Sequence, residues 1–267
     1  MEKSNKDDFV IEDGILKRFK GDTEEVVLPE GVVTIQEAAF IECPKLKSRV
    51  FPNTLKRIES MAFLTESPIS VFIPASVREI DANAFFGAGV SKIEVDPHNP
   101  MYHCVNNCLI ETKRKYLVLC GEGAVLPDDG SVEVIGNGSC NSLLHTSAEA
   151  EPYSLTIPEG IKSIEQGAFC FANIKDLTLP KSLTEIGESA FIDCHKLIWA
   201  VIPAGVKKIG NNAFDDNWKL HAAFILGYET EFGKDVFIDC DHLTIYAHKG
   251  STAEKYAKQY HIHFEKI

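Results

Sequence analysis

The sequence predicts a β-solenoid of roughly eight coils, each 22 or 23 residues long. Three observations carry that prediction. Phenylalanines that follow an alanine recur at Phe40, Phe63 and Phe85, then at Phe169, Phe191 and Phe214, always in steps of 22 or 23 within each group. Phe237 continues the second series behind Val236, whereas Phe224 also follows an alanine but falls out of register. Prolines keep the same period at Pro29, Pro52 and Pro74 and at Pro158, Pro180 and Pro203. Apolar residues three apart precede each Ala-Phe pair, as in Ile161 and Ile164, Leu183 and Ile186, and Val206 and Ile209. A stacked unit must present the same shape to its neighbours, and this makes unrelated residue types share one period.

The elements follow in chain order. Residues 1–26 read as an N-terminal hairpin cap, because Asp13-Gly14 separates two apolar runs between Phe9 and Phe19. Residues 27–95 form a first repeat block. Within residues 96–151 the spacing fails, and 96–123 reads as a β-hairpin insertion: short apolar runs at Val105–Ile110 and Tyr116–Cys120 are broken by Asn106-Asn107 and by the charged Glu111–Lys115. A degenerate coil runs from Leu126-Pro127 to Ile135, with Cys140 where a phenylalanine is expected, and the polar stretch Asn141–Glu151 reads as a loop that breaks or bends the solenoid. Residues 152–245 form a second repeat block. Residues 246–267 form a C-terminal cap, needed because a terminal coil would otherwise expose its apolar face. There Ser251–Lys258 is helical, with Ser251 as N-cap, Glu254 completing a capping box, and Ala253, Tyr256 and Ala257 on one face. Ile262–Phe264 then returns as a short strand.

One copy, from Leu179-Pro180 through Leu183, Ile186, Ala190-Phe191 and Cys194 to Leu197, matches every position of the pattern Leu/Ile-Pro-x-x-Val/Ile/Leu-x-x-Ile-x-x-x-Ala-Phe-x-x-Cys-x-x-Leu. In this pattern the chain resembles the BspA-like class of bacterial leucine-rich repeats, over about residues 9–267. The resemblance implies a leucine-rich-repeat β-solenoid with a parallel sheet on one face and hairpins between coils. It specifies the fold and says little about function. Secreted members look like surface adhesins, and members without a signal have no settled role.

Composition narrows the function classes. A formal net charge of -12 opposes binding to nucleic acid and to anionic membranes. No apolar run is long enough to insert in a membrane. The charged N-terminus lacks the apolar segment of a secretory signal, so the cytoplasm is expected, or the cell surface or exterior if a leader has been removed. Of eight cysteines, Cys43, Cys194 and Cys240 each lie three residues past a repeat phenylalanine; small apolar thiols stacked there, free and buried, suit a reducing compartment.

Each coil is expected to carry a short strand before its proline. Alternation sends Leu177 and Leu179 inward and Asp176 and Thr178 outward, and the same register turns Trp199, Val201, Ala222 and Phe224 outward, with Phe72 at the matching position earlier. Trp199 and Phe224 then lie on adjoining strands. Together with Phe72, Val201, Asp176 and Thr178 they are the candidate partner-binding residues, since aromatics are enriched at binding hot spots. The competing reading is a register off by one, or burial under a loop or another subunit.

Chemistry is sparse. Metalloprotease, nucleophile-elbow and phosphate-loop signatures are missing, and Gly121-Glu122-Gly123 and Gly136-Asn137-Gly138 read as turns. Cys104 and Cys108, with His98, His103 and Cys120 nearby, make a metal-like cluster whose plainer reading is packed free thiols. Asp215 and Asp216 read as a solvated turn rather than a calcium site. His195, His221, His242, His248, His261 and His263 show no partner at fixed spacing. The expectation is a non-catalytic protein-interaction module without cofactor or metal. The alternatives are an enzyme or small-molecule binder with its site near residues 96–123, and a structural element of a larger assembly.

Overall fold

The structure is a computed structural model describing residues 5–41, 43, 45–63, 69–140 and 151–267. Of the expected loop Asn141–Glu151, all but the last residue lies outside these. The chain is a β-solenoid of about 11 turns. That exceeds the expected eight, because the Ala-Phe marker counts only regular coils and misses turns made by caps and hairpins. Two compact units divide it: Met1–Pro127 with Ser139–His145, and Asp128–Gly138 with Thr146–Ile267.

The second unit shows the coil most clearly. Strands Tyr153–Thr156, Ile174–Thr178, Trp199–Ile202, Ala222–Ile225, Thr244–Ala247 and His263–Lys266 form one six-stranded parallel sheet, with His263–Lys266 outermost. Leu177, Ala200, Ala223 and Ile245 face the core and are wholly buried. A second parallel ladder runs through Val134–Ile135, Ser163–Ile164, Glu185–Ile186, Lys208–Ile209 and Glu231–Phe232. The expected parallel sheet on one face is present, and this second ladder of two-residue strands adds to it. Two-residue strands are too short to show an alternation in sequence.

Between these ladders each coil turns at its Ala-Phe pair. The residues two before and two after the phenylalanine are left-handed: Ser189 and Asp193 (φ 53° and 58°), Asn212 and Asp216 (53° and 52°), Asp235 and Asp239 (both 54°). Short polar side chains tolerate that conformation better than most. The turn backbone bonds from coil to coil, Phe169 N donating to Ala190 O at 2.9 Å and Phe191 N to Ala213 O at 2.8 Å. The rings stack directly: Phe169–Phe191, Phe191–Phe214 and Phe214–Phe237 have centroids 5.3, 5.2 and 5.4 Å apart, tilted by 3°, 13° and 18°. Phe191 is buried between Phe169 and Phe214, as its repeat position predicts.

The phenylalanine carbonyls also accept from side chains of a later coil. Cys194 Sγ donates to Phe169 O at 3.3 Å and Cys240 Sγ to Phe214 O at 3.2 Å. In the intervening coil Asn217 takes the cysteine position, its Nδ2 donating to Phe191 O at 2.9 Å and Phe214 O at 2.7 Å. The cysteine column therefore supplies donors as well as volume. None of the eight cysteines forms a disulfide.

The helix Thr252–Gln259 closes this unit, with Ser251 Oγ accepting from Glu254 N at 3.3 Å. The return half of the expected capping box goes elsewhere: Glu254 Oε2 accepts from Gly250 N. Ala253, Tyr256 and Ala257 face inward, and Tyr256 stacks on Phe232 at 4.7 Å and meets Phe237 edge-on at 6.1 Å, ending the ring column.

In the first unit, Phe9–Glu12 and Ile15–Phe19 pair antiparallel about Asp13 and Gly14, both at positive φ. Strands Glu25–Val27, Ser48–Val50, Ile69–Ile73 and Val90–Val95 make a four-stranded parallel sheet, and Thr34–Ile35, Arg57–Ile58 and Glu79–Ile80 continue the ladder begun by Ile15–Phe19. A ring column runs Phe9, Phe19, Phe40, Phe63, Phe85. The insertion forms two hairpins from Tyr102–Val105, Cys108–Glu111 and Tyr116–Cys120. Asn106 and Asn107 both have φ above zero, which a two-residue turn matching strand twist requires.

Candidate partner-binding face

The six-stranded sheet turns one face inward and the other outward. Its parallel register lines up two outward rows. One runs Ser154, Asp176, Trp199, Ala222, Thr244, His263, and the other Thr156, Thr178, Val201, Phe224, Tyr246, Glu265. Both rows are polar at their ends and apolar in the middle. Trp199 is 36% exposed, while Val201, Ala222, Phe224 and Tyr246 are half-buried. The rim is hydroxyl-rich and charged, with Ser154 Oγ donating to Asp176 Oδ2 at 2.9 Å and His263 Nε2 lying 3.1 Å from Glu265 Oε1.

Trp199 and Phe224 lie on paired strands, but Trp199 sits opposite Ala222 and Phe224 opposite Val201, so the two aromatics are diagonal neighbours. The ring that Phe224 stacks on is Tyr246, at 4.7 Å and 16°. Sequence reasoning passed over Tyr246, although one further repeat step from Phe224 reaches it. Phe72 lies in the first unit. There it is 42% exposed and opposite Glu94, in a face that also carries Val27 and Val50.

The insertion carries an open cavity of about 490 Å³ lined by Val95, Pro97, Tyr102, His103, Cys104 and Thr112 among others. Its polar groups are already engaged. Asn99 Nδ2 donates to Pro74 O while its Oδ1 accepts from Met101 N and Tyr102 N, Tyr102 Oη accepts from Ile80 N, and His103 Nδ1 meets Thr112 Oγ1 at 2.8 Å. The thiols divide differently from the expected cluster. Cys104 Sγ donates to Ile93 O, whereas Cys120 Sγ lies 3.9 Å from Cys108 Sγ and 3.3 Å from Cys140 Sγ, all three buried. Cys120 and Cys140 follow the same coil-to-coil rule as the phenylalanines, Cys120 N donating to Ser139 O.

Of the pair Asp215 and Asp216, the first accepts from Asn212 Nδ2 at 2.9 Å, and the second approaches Asp193 of the preceding coil. Burial, followed by the hydrogen bond and charge of Asp216, raises the Asp193 carboxyl above the usual range.

The family model for the BspA type leucine rich repeat region matches in six copies over residues 11–118 and 148–259. Among solved structures, the chain is similar to the pneumococcal vaccine antigen PcpA, with a TM-score of 0.69 at 19% identity, covering 93% of this chain and 72% of that one. A leucine rich cell surface protein from Faecalibacterium prausnitzii A2-165 gives 0.61 at 23% identity, covering 88% of this chain and 62% of that one, so this chain spans under two thirds of that relative. A leucine-rich repeat protein from Eubacterium ventriosum ATCC 27560 gives 0.60 at 18% identity, covering 87% and 80%. These likenesses concern the fold. No curated protein sequence matches. Among the described residues, no helix is long and apolar enough to cross a membrane.

Proposed function

The chain belongs to the BspA-type leucine-rich repeat family, and on that premise we propose that it is a non-catalytic module that binds a protein partner through the outer face of the sheet spanning Tyr153–Lys266. The observation that carries this reading is the apolar strip Trp199, Val201, Ala222, Phe224 and Tyr246 inside a polar rim, the usual anatomy of an interface. Aromatics on rigid strands lose little conformational freedom on binding, so Trp199 and Phe224, supported by Tyr246, form its centre, with Thr178 and Asp176 on the rim. Phe72 lies on the sheet of the first unit.

The test is affinity capture with the intact chain beside Trp199→Ala with Phe224→Ala. The double variant is expected to keep its circular dichroism and to weaken a specific partner by about 2 kcal/mol or more. A folded double variant that binds as well as the parent removes this face from consideration. The cavity beside the insertion favours the small-molecule reading, but its polar groups hold the hairpins in place instead of converging on open space. For the compartment, buried thiols support the cytoplasm, and the likeness to a protein described as a cell surface protein supports the surface. Protease added to intact cells separates the two.

A further inference from the structure

Away from the sheet face, the second unit brings three metal-ligating side chains together. One ligand atom each from Asp193, His195 and Asp216 lie within 4.8 Å of one another. The repeat itself builds this arrangement. Asp193 and Asp216 hold the same position in successive coils, two residues past Phe191 and Phe214, and both are left-handed. The turn bond from Asp193 N to Asp215 O, at 3.0 Å, fixes the spacing of those coils. Successive rungs sit about 4.8 Å apart, which places the two carboxylates side by side, 23 residues apart in sequence.

His195 closes the third side, with Nε2 3.9 Å from Asp193 Oδ1. Among the described residues nothing hydrogen-bonds its buried Nδ1, and Nε2 is the nitrogen that faces Asp193. The ring is held edge-on by Trp218 at 4.9 Å and 67°, and Trp218 Nε1 donates to His195 O at 2.8 Å. Among the described residues no lysine or arginine forms an ion pair with either carboxylate. Two acids on one rung would by themselves be a solvated face. The imidazole nitrogen converging on them, fixed by the tryptophan, is what distinguishes this group.

We propose that Asp193, His195 and Asp216 form a surface site for a divalent transition metal of the zinc class. One nitrogen and two carboxylate oxygens suit a borderline ion better than soft copper(I), which takes thiolates, or calcium, which takes six to eight oxygens. Zinc bonds of about 2.0–2.2 Å set donor atoms about 3.3–3.5 Å apart around a tetrahedral ion, within a side-chain rotation of the spacing observed. The remaining coordination position is open to solvent.

The test uses the full chain, freed of metal by chelation and titrated calorimetrically with zinc chloride. One saturable site per chain is expected. Asp193→Asn, Asp216→Asn and His195→Gln should each weaken it at least as much as the 10–100-fold typical of losing a mere supporting residue. Asparagine suits the left-handed backbone, so both Asn variants should keep the parent's melting temperature without metal, which checks folding separately. Zinc should raise the melting temperature of the parent and leave the Asn variants unmoved. His242→Ala and His263→Ala, beside a different cavity at the C-terminal end, should bind as the parent does. No saturable binding, undiminished binding in the folded Asn variants, or loss in the His242 or His263 variants instead, overturns the proposal.

Discussion

The two units run the same repeat with different regularity. In the second, stacked rings tilt by at most 18°, and the left-handed position before each Ala-Phe is filled by Gly167, Ser189, Asn212 and Asp235. In the first, the contacts with the N-terminal cap, Phe9–Phe19 and Phe19–Phe40, tilt by 46° and 41°, while Phe40–Phe63 and Phe63–Phe85 tilt by 20° and 18°, and the same left-handed position holds Ala38 and Met61. Where the second unit packs Ala200 against its sheet core, the first buries Arg49, which is 3% exposed. Among the described residues nothing hydrogen-bonds that guanidinium; it lies 4.4 Å from the Phe63 centroid and 5.0 Å from that of Phe40. Burial pushes it down to about 9, so it stays charged at neutral pH. The comparison teaches that the ring column tolerates substantial local misfit provided the coil-to-coil bonds at Ala-Phe persist, as they do from Phe40 N to Ala62 O at 3.1 Å.

The largest expected effect probes the columns directly. Phe191→Ala should cost about 3–5 kcal/mol in denaturant unfolding. Phe40→Ala should fall at the low end of that range, because the Arg49 stem can settle into part of the cavity. Equal losses in the two variants would show that the tilt carries no energetic meaning.

Next is the donor column. Asn217→Ala leaves the Phe191 carbonyl without its donor and the Phe214 carbonyl with Cys240 Sγ alone, and should cost about 1–3 kcal/mol. Asn217→Cys should lose less, since Cys194 and Cys240 make the equivalent bond in neighbouring coils. If the cysteine variant is no better than the alanine one, thiol donation is not what the position requires.

Arg49→Met should move the other way. Replacing a buried charge that has no hydrogen-bond partner among the described residues by an apolar side chain of similar length is expected to raise stability by about 1 kcal/mol or more, read as a higher denaturation midpoint. A fall would mean the cation contributes more through the two rings than its burial costs. The smallest effect is Ala38→Gly, expected to stabilise by about 0.5 kcal/mol, the left-handed penalty on alanine outweighing the added freedom of glycine. The same change at Ala190, which is not left-handed, should destabilise.

Much of this architecture was legible because repetition writes it many times over. Phe191 and Pro180 gave the period, Asp13-Gly14 the hairpin, and Ser251 the helix start. What escaped was local or lateral. Ser163–Ile164 is too short to alternate. The donor role of Cys194 depends on a carbonyl 25 residues away. Glu254 bonds the Gly250 amide, while the Ser251 amide is taken by His248 O. For the partner face, the outward register of Trp199 and Phe224 followed from strand alternation, whereas the stacking of Phe224 on Tyr246 needed the next rung. Asp216 and His195 lie 21 positions apart in sequence, and only the stack makes them neighbours.

The outermost strand, His263–Lys266, has a consequence for solubility. A parallel sheet grows by adding strands at its open edge, so a solenoid risks indefinite end-to-end polymerisation. Here the last strand exposes His263, Glu265 and Lys266, and Tyr256 of the adjacent helix already covers the end of the ring column. An arriving strand would have to bring its own side chains against this mixed-charge row, while the apolar end that might reward it is shut. The edge is left chemically unattractive to a further strand.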